Sequence, residues 1–276
     1  MMAISDKEFN ALRQLIYDRF GINLTDEKRS LLVGRLQKMI RDKKLGTFQN
    51  YYDYLNTDST GEAVSNLINL VSTNYTYFNR EKDHFDYFQN TALPNICEQL
   101  KKQNRKDLRI WCAGCSTGEE PYTLLMLMHE YLGHKYSSWD AGILATDISL
   151  QVLDTAQQGI YPVDKVASLP DSLQRKYFTK CANGKMQVCD TLRNEITFRR
   201  FNLMNKTFPF KKQFQIIFCR NVMIYFDQDT RNALVQRFHQ NMEAGGYFFI
   251  GHSETLGRDN TLFKYLFPAA YQKGLG

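Results

Sequence analysis

Apolar positions recur at three- and four-residue spacing through the first 70 residues. From Leu108 onward they gather into short uninterrupted runs. The first regime predicts amphipathic helices and the second buried strands. Phe9, Leu12, Leu15, Ile16 and Phe20 line one face of a helix over residues 5–20, with Ser5 and Glu8 as a capping box and Gly21 as its stop. Thr25 or Asp26 opens a second helix that reaches about Lys44, with Leu32, Leu36, Met39 and Ile40 on its apolar side and Gly46 ending it. Phe48–Leu55 and Glu62–Val71 predict two more short helices, so residues 1–70 read as an all-helical domain without internal repeats.

Residues 71–81 break this pattern. Asn74, Thr76, Asn79 and Arg80 interleave with Tyr75, Tyr77 and Phe78, which marks residues 71–84 as a linker that contributes to a site, since ligands favour domain junctions. His84–Leu100 resumes as a helix. Strands and helices then alternate: strand Leu108–Trp111, helix Tyr122–Leu132, strand Ala141–Thr146, helix Leu150–Gln158, strand Phe214–Cys219, helix Asp229–Met242 and strand Gly245–Gly251. Repeated βα units imply a parallel sheet with helices on both faces. The alternation stops between Tyr161 and Asn202. Met186–Val188 and Glu195–Phe201 predict strands and Asn183-Gly184 a hairpin turn, so a small antiparallel insertion at about 161–202 is expected within a domain spanning 85–276.

Bulk properties narrow the class. A hydrophobic content of 43% is ordinary for a globular chain. No apolar run approaches the length of a membrane span, and Met1–Asn10 is polar with no secretory segment, so cytoplasmic residence without membrane insertion is expected. The cysteines read as reduced thiols. Cys112 and Cys115 form a CxxC, but no second pair exists, and small residues are wanted in that loop for another reason. Residues 1–72 carry only +1 of the net charge of +6, but Lys28, Arg29, Arg35, Lys38, Arg41, Lys43 and Lys44 form a local basic patch against one acid, Asp42. A solvated helix face explains these residues as well as an acidic partner does.

The candidate chemistry centres on Leu108–Pro121. A buried strand leads into Cys112, Ala113, Gly114, Cys115, Ser116, Thr117 and Gly118, then into Glu119, Glu120, Pro121 and a helix. A small-residue loop between strand and helix lets the backbone approach a nucleotide closely. No Gly-Lys-Ser/Thr ends the loop, and carboxylates occupy the place of a pyrophosphate. This favours a phosphate-free, cationic nucleoside and disfavours a dehydrogenase. Asp147, ending the next strand, suits either the hydroxyls of a ribose or the cap of the following helix. Combined with the loop, the ribose reading leads. The His residues at 84, 129, 134 and 239 lie scattered on helices, His252 and Glu254 follow a strand end, and no metal site is expected.

Together AGCSTGEEPYTL (113–124), ATDIS (145–149), FCRNVMIYF (218–226), GHSE (251–254) and STNYTYFNRE (72–81) resemble the CheR-type chemotaxis receptor methyltransferases over nearly the whole chain. The resemblance implies an α/β fold, a Rossmann-like class I methyltransferase domain with a small antiparallel insertion, preceded by an all-α domain. It implies S-adenosylmethionine as cofactor, S-adenosylhomocysteine as product, and methylation of glutamate side chains on transmembrane chemoreceptors to give methyl esters. By position it implies that Asn74, Thr76 and Arg80 approach the cofactor from the linker. Glu120, rather than Glu119, meets its methionine or ribose region, and Asp147 holds the ribose. Asn202 and Leu203 flank the adenine, and Asn221 and Val222 close the methionine side. Arg80 and Tyr225 become the residues acting at the acceptor, with an interdomain ion pair to Glu81 or Asp83 the competing role for Arg80 and a packed aromatic the competing role for Tyr225. The receptor's cytoplasmic domain is the expected partner, with the basic helix 28–44 its candidate docking surface. A monomer without nucleic-acid binding is expected. A nucleic-acid methyltransferase is disfavoured because Asn221-Val222-Met223-Ile224 stands where Asn/Asp-Pro-Pro-aromatic is usual. A non-catalytic nucleoside sensor is the remaining alternative.

Overall fold

Ser5 opens the first helix as its capping box dictates: Glu8 N donates to Ser5 Oγ at 3.3 Å and Ser5 N to Glu8 Oε2 at 2.8 Å. This computed structural model describes residues 3–72, 74–257 and 261–275, so Thr73 of the linker motif lies outside it. The helical domain comprises α1 (Asp6–Phe20), α2 (Arg29–Asp42, entered through a short 3-10 turn), α3 (Phe48–Thr57) and α4 (Glu62–Val71). After the linker come α5 (Lys82–Tyr87) and α6 (Leu93–Lys102), separated by a π-helical turn over Phe88–Ala92. The sequence pattern predicts one continuous helix there. Pro94 has no N–H to give to the preceding turn, and the wider turn before it absorbs the mismatch.

The α/β region follows as β1 (Asp107–Ala113), α7 (Glu119–Leu132), β2 (Asp140–Asp147) and α8 (Leu150–Gln158). Next come β3 (Ile160–Pro162), α9 (Val163–Val166), α10 (Asp171–Tyr177), β4 (Phe178–Cys181), β5 (Lys185–Val188) and α11 (Asp190–Glu195). The chain ends with β6 (Ile196–Arg200), β7 (Phe214–Cys219), α12 (Gln228–Gln240), β8 (Met242–Ile250), β9 (Phe263–Phe267) and β10 (Ala270–Lys273). The main sheet has seven strands in the order β6-β2-β1-β7-β8-β10-β9, and β3-β5-β4 form a small antiparallel sheet.

Two expectations need correction. The strand predicted at Glu195–Phe201 does not belong to the insertion. As β6 it pairs parallel with β2, Ile143 opposite Ile196 through Asp147 opposite Arg200, and so completes the edge of the main sheet. Its alternate burial, with Ile196 and Phe198 inward, is compatible with either sheet, and only the crossover through α11 decides. The main sheet is also mixed: β10 pairs antiparallel with β8, and β9 with β10, two strands that the βα alternation does not announce.

Alternation along β1 sends Leu108, Ile110 and Cys112 to one face and Trp111 and Ala113 to the other. The first face packs against α6, α7, α8 and the small sheet. The second packs against α12, and its core runs without a break into that of the helical domain. The two domains are also tied by polar bonds. Asn202 Nδ2 donates to Arg19 O at 2.7 Å, Asn23 N to Tyr225 O at 2.8 Å, and Tyr17 Oη to Asp227 Oδ2 at 2.6 Å. The helical domain is therefore a wall of the α/β domain rather than a tethered appendage.

Arg35, expected among the docking cations, is committed elsewhere. Its guanidinium donates to the carbonyls of Leu70, Val71 and Ser72 at 3.0–3.3 Å, closing the C-terminus of α4 just before the linker. Lys38, Arg41 and Lys44 remain exposed. Arg35→Ala should lower unfolding stability in urea by about 1–2 kcal/mol, while Lys38→Ala should stay within about 0.5 kcal/mol of the parent. Equal effects would show that the α4 cap contributes nothing.

Candidate functional site

The chain runs outward from β1 to β2 and β6 on one side, and from β7 to β8 on the other, so the strand order reverses between β1 and β7. The loops after these two strands splay apart there and leave a crevice beyond their carboxyl ends. Gly114 leaves β1 with φ +88°, and a Cβ there would sit 2.4 Å from Val222 Cγ2 on the loop after β7. Only glycine allows both the backbone turn and the contact between the two loops. The amides of Gly114 and Cys115 donate to Thr146 O at 2.8 and 2.9 Å, which keeps the loop against the end of β2. Cys112 and Cys115 are fully packed, and burial raises both thiols well above their ordinary range, as loop packing requires and thiolate chemistry does not.

Asp147 lies at the carboxyl end of β2, 8% exposed. Its Oδ2 accepts from Ser116 N at 2.9 Å and its Oδ1 from Ser149 N at 3.0 Å. Burial raises its pKa against the opposing pull of these amides. The alternative role, capping the next helix, belongs to Ser149, whose Oγ accepts from Val152 N at 3.3 Å. Asp147 is thus braced from behind by two amides while its carboxylate lines the crevice.

The two glutamates at the start of α7 separate cleanly. Glu119 is wholly buried and turned away, held by Thr117 Oγ1 at 2.6 Å and Lys165 Nζ at 2.8 Å. Glu120 lines the crevice, with its Oε2 accepting from Arg220 Nη1 at 2.9 Å. Burial raises the Glu120 carboxyl above its usual range despite that cation.

Arg220 is the site residue that sequence reasoning missed. Its side chain is 3% exposed and directly follows β7. Besides Glu120, it donates to Glu81 Oε2 at 2.9 Å and to the carbonyl of Arg80, and its guanidinium lies 5.2 Å from the centroid of Phe85. Burial pushes the Glu81 carboxyl up, but Arg220 and Asn221 outweigh it and hold the group below its ordinary value. The signal was present: a charged residue ending a strand that is apolar at every position but Gln215 has to meet an opposite charge inside. Asn221 follows with φ +58°, stabilised by Glu254, whose carboxylate accepts from the amides of Asn221 at 2.9 Å and Ile224 at 3.1 Å. The GHSE loop therefore acts as a clamp on the loop after β7.

The linker forms the facing wall. Asn74, Thr76 and Arg80 line the crevice, and Ser116 Oγ donates to Asn74 O at 3.1 Å. Arg80 pairs with neither acid weighed for it: Glu81 goes to Arg220, Asp83 to His252, and the Arg80 guanidinium donates to Tyr75 O at 2.8 Å. Leu203, Asn221, Val222 and Tyr225 complete the lining, with Lys28 5.5 Å over the Tyr225 ring. Asn202 lines it too, but its amide is committed to Arg19 O and Met204 N, which makes it a joint between the domains. All the residues that the resemblance assigned to the cofactor and acceptor thus share one crevice. An interior with buried carboxylates and a backbone cradle suits the hydroxyls and positive charge of a phosphate-free nucleoside.

The histidines differ from expectation. His129 meets Glu195 at 3.1 Å, and His84 stands with Glu81 and His252 in one cluster behind Arg220. Burial, and secondarily Arg220, push the His84 imidazole down to about 4.

Comparison with known proteins converges on one family. The profile of the CheR methyltransferase SAM-binding domain matches residues 74–271, and that of the CheR methyltransferase all-alpha domain matches residues 7–72. A chemotaxis protein methyltransferase of Borreliella burgdorferi is 42% identical over 270 residues, covering 98% of this chain and 95% of that protein. The chemotaxis protein methyltransferase of Escherichia coli is 36% identical over 256 residues, covering 92% and 86%. With both family domains in order and a reversal-point crevice between β1 and β7, this chain belongs to the CheR chemotaxis methyltransferases and uses S-adenosylmethionine.

Proposed function

We propose that the chain transfers a methyl group from S-adenosylmethionine to glutamate γ-carboxylates on the cytoplasmic domains of membrane chemoreceptors. The observation that carries this reading is the meeting of two kinds of group in one crevice: buried carboxylates at Asp147 and Glu120, and the Arg80 guanidinium and Tyr225 ring beside them. The bound cofactor supplies a methyl group on a sulfonium cation. An acceptor glutamate with a pKa near ~4.3 is already ionised at neutral pH, so the chain needs no general base. This fits the lining, which contains no histidine. Charge is lost as the carboxylate becomes an ester, so a water-poor site favours the transition state.

The chain's own residues position the reactants. Asp147 accepts both ribose hydroxyls, and Glu120 faces the cationic end. Asn74 and Thr76 cover the cofactor from the linker, Leu203 borders the adenine, and Asn221 and Val222 close the opposite side. Arg80 orients the acceptor carboxylate through its planar fork, and Tyr225 adds one hydrogen bond. Such alignment can contribute roughly 7–11 kcal/mol to lowering the barrier. Tyr75, which lines the crevice, is 72% exposed beside Tyr77, while Lys38 and Arg41 on α2 and Lys44 just after it present exposed positive charge. These cations are the docking surface for the acidic methylation region, with Arg35 removed from the set by its structural role.

Radiolabelled S-adenosylmethionine and receptor cytoplasmic fragments should yield label on the receptor that mild base releases as methanol. Base-stable label, or label on RNA instead, would overturn this function. Asp147→Ala should weaken S-adenosylhomocysteine binding in calorimetry at least tenfold, as expected for losing hydrogen bonds to a charged group worth about 1.5–3 kcal/mol. Ser149→Ala should cost helix stability but leave that affinity intact. Equal effects of the two variants would return Asp147 to a capping role. Arg80→Ala should lower kcat about a hundredfold while S-adenosylhomocysteine affinity changes less than threefold, consistent with an interaction made at the acceptor. Undiminished turnover would leave Arg80 as structural.

A further inference from the structure

The cluster behind Arg220 is not used by methyl transfer. Glu81, His84 and His252 bring one carboxylate oxygen and two imidazole nitrogens within 4.8 Å of one another. His84 is wholly buried. One of its ring nitrogens, Nε2, lies 3.0 Å from Pro268 O, and a carbonyl can only accept, so Nε2 carries the proton. The neutral ring then presents a bare lone pair at Nδ1. That atom has no hydrogen-bond partner among the described residues, and it faces Glu81 Oε2 at 3.5 Å. Glu81 Oε2 already accepts from Arg220 at 2.9 Å, so the buried lone pair left without a partner among the described residues is that of His84 Nδ1, and a cation held between it and the carboxylate would satisfy it.

We propose that Glu81, His84 and His252 bind a divalent transition-metal ion, with zinc the best match. Two imidazoles and a carboxylate are a ligand set that zinc and its neighbours favour. With ligand distances of about 2.0–2.2 Å, tetrahedral partners lie about 3.3 Å apart, close to the Glu81–His84 separation. His252 completes the set by a shift of up to about 1.5 Å, which a half-exposed side chain on a loop can make. Both rings already have the outer partners that ligating histidines take: Pro268 O for His84, and Asp83 Oδ2, 3.1 Å from His252 Nε2. Solvent reaches the cluster past His252, which gives an ion its entry. The Arg220 guanidinium on Glu81 opposes a second cation, so affinity belongs in the micromolar range rather than the nanomolar.

The ion would join the turn that carries Glu81 to the GHSE loop, the two supports behind Arg220 and Asn221. It takes no part in methyl transfer, because none of its three ligands lines the crevice.

The full chain, stripped with chelator, is titrated with Co2+ and followed by its visible d–d absorption, then back-titrated with Zn2+. The expected result is one equivalent of Co2+ with intense bands of low coordination number, displaced by Zn2+. His252→Ala should abolish the bands and weaken Zn2+ binding at least tenfold, with S-adenosylhomocysteine affinity preserved as evidence of an intact fold. His84→Gln should do the same. If that variant does not fold, His252→Ala decides alone. No d–d band at millimolar Co2+ overturns the proposal, and so does a band that survives in folded His252→Ala.

Discussion

Arg220 is the interaction on which the site depends. One guanidinium, almost fully enclosed, bonds Glu81 at the end of the linker, Glu120 at the start of α7 and the backbone carbonyl of Arg80, and it rests on Phe85. Three separate segments, residues 80–85, the start of α7 and the loop after β7, are held at one point. Charges placed out of water need partners, and removing one partner of such a group typically costs about 3–5 kcal/mol because the others are left buried and unpaired. The bridge does more for position than for stability. It fixes the linker against the loops after β1 and β7, and so fixes which residues face the crevice.

The same arrangement explains why neighbouring acids behave differently. Glu119 and Glu120 are adjacent in the chain, yet one meets Lys165 outside the crevice and the other meets Arg220 at its wall. Glu81 and Glu120 share one cation, but burial prevails at Glu120 and the cation prevails at Glu81. Asp147 has amides rather than a cation behind it, which leaves its carboxylate in need of donors from the crevice side. A cofactor with hydroxyls and a positive charge meets these requirements without any lysine or arginine for a phosphate.

The helical domain belongs to the same mechanical unit. Its core is continuous with the sheet face around Trp111, and Lys28, Asn23 and Arg19 reach residues that flank the crevice. A partner docking on α2 therefore docks on a body rigidly attached to the site. Arg35 shows how far a count of basic residues can mislead: its charge is spent on three backbone carbonyls at the entrance to the linker.

While most of the crevice residues came from the family resemblance, which did not supply Arg220, the sequence by itself determined the helical first domain, the βα alternation and the small-residue cradle after β1. These are local properties: periodicity, the need for glycine at Gly114, and polar residues at strand ends. Tertiary structure alone decided the rest. It moved β6 from the insertion into the main sheet, because a short strand with one apolar face fits either sheet until its crossover is known. It added β9 and β10 on an edge where no βα period marks them. It assigned Ser149 the cap and freed Asp147, since both residue types suit both tasks. It brought Glu81, His84 and His252 together from positions 81 to 252, which no spacing rule can see. Partners of buried charges are chosen by the fold's three-dimensional contacts, and Arg220 is the clearest case: its burial was legible from the strand it ends, and its three partners were not.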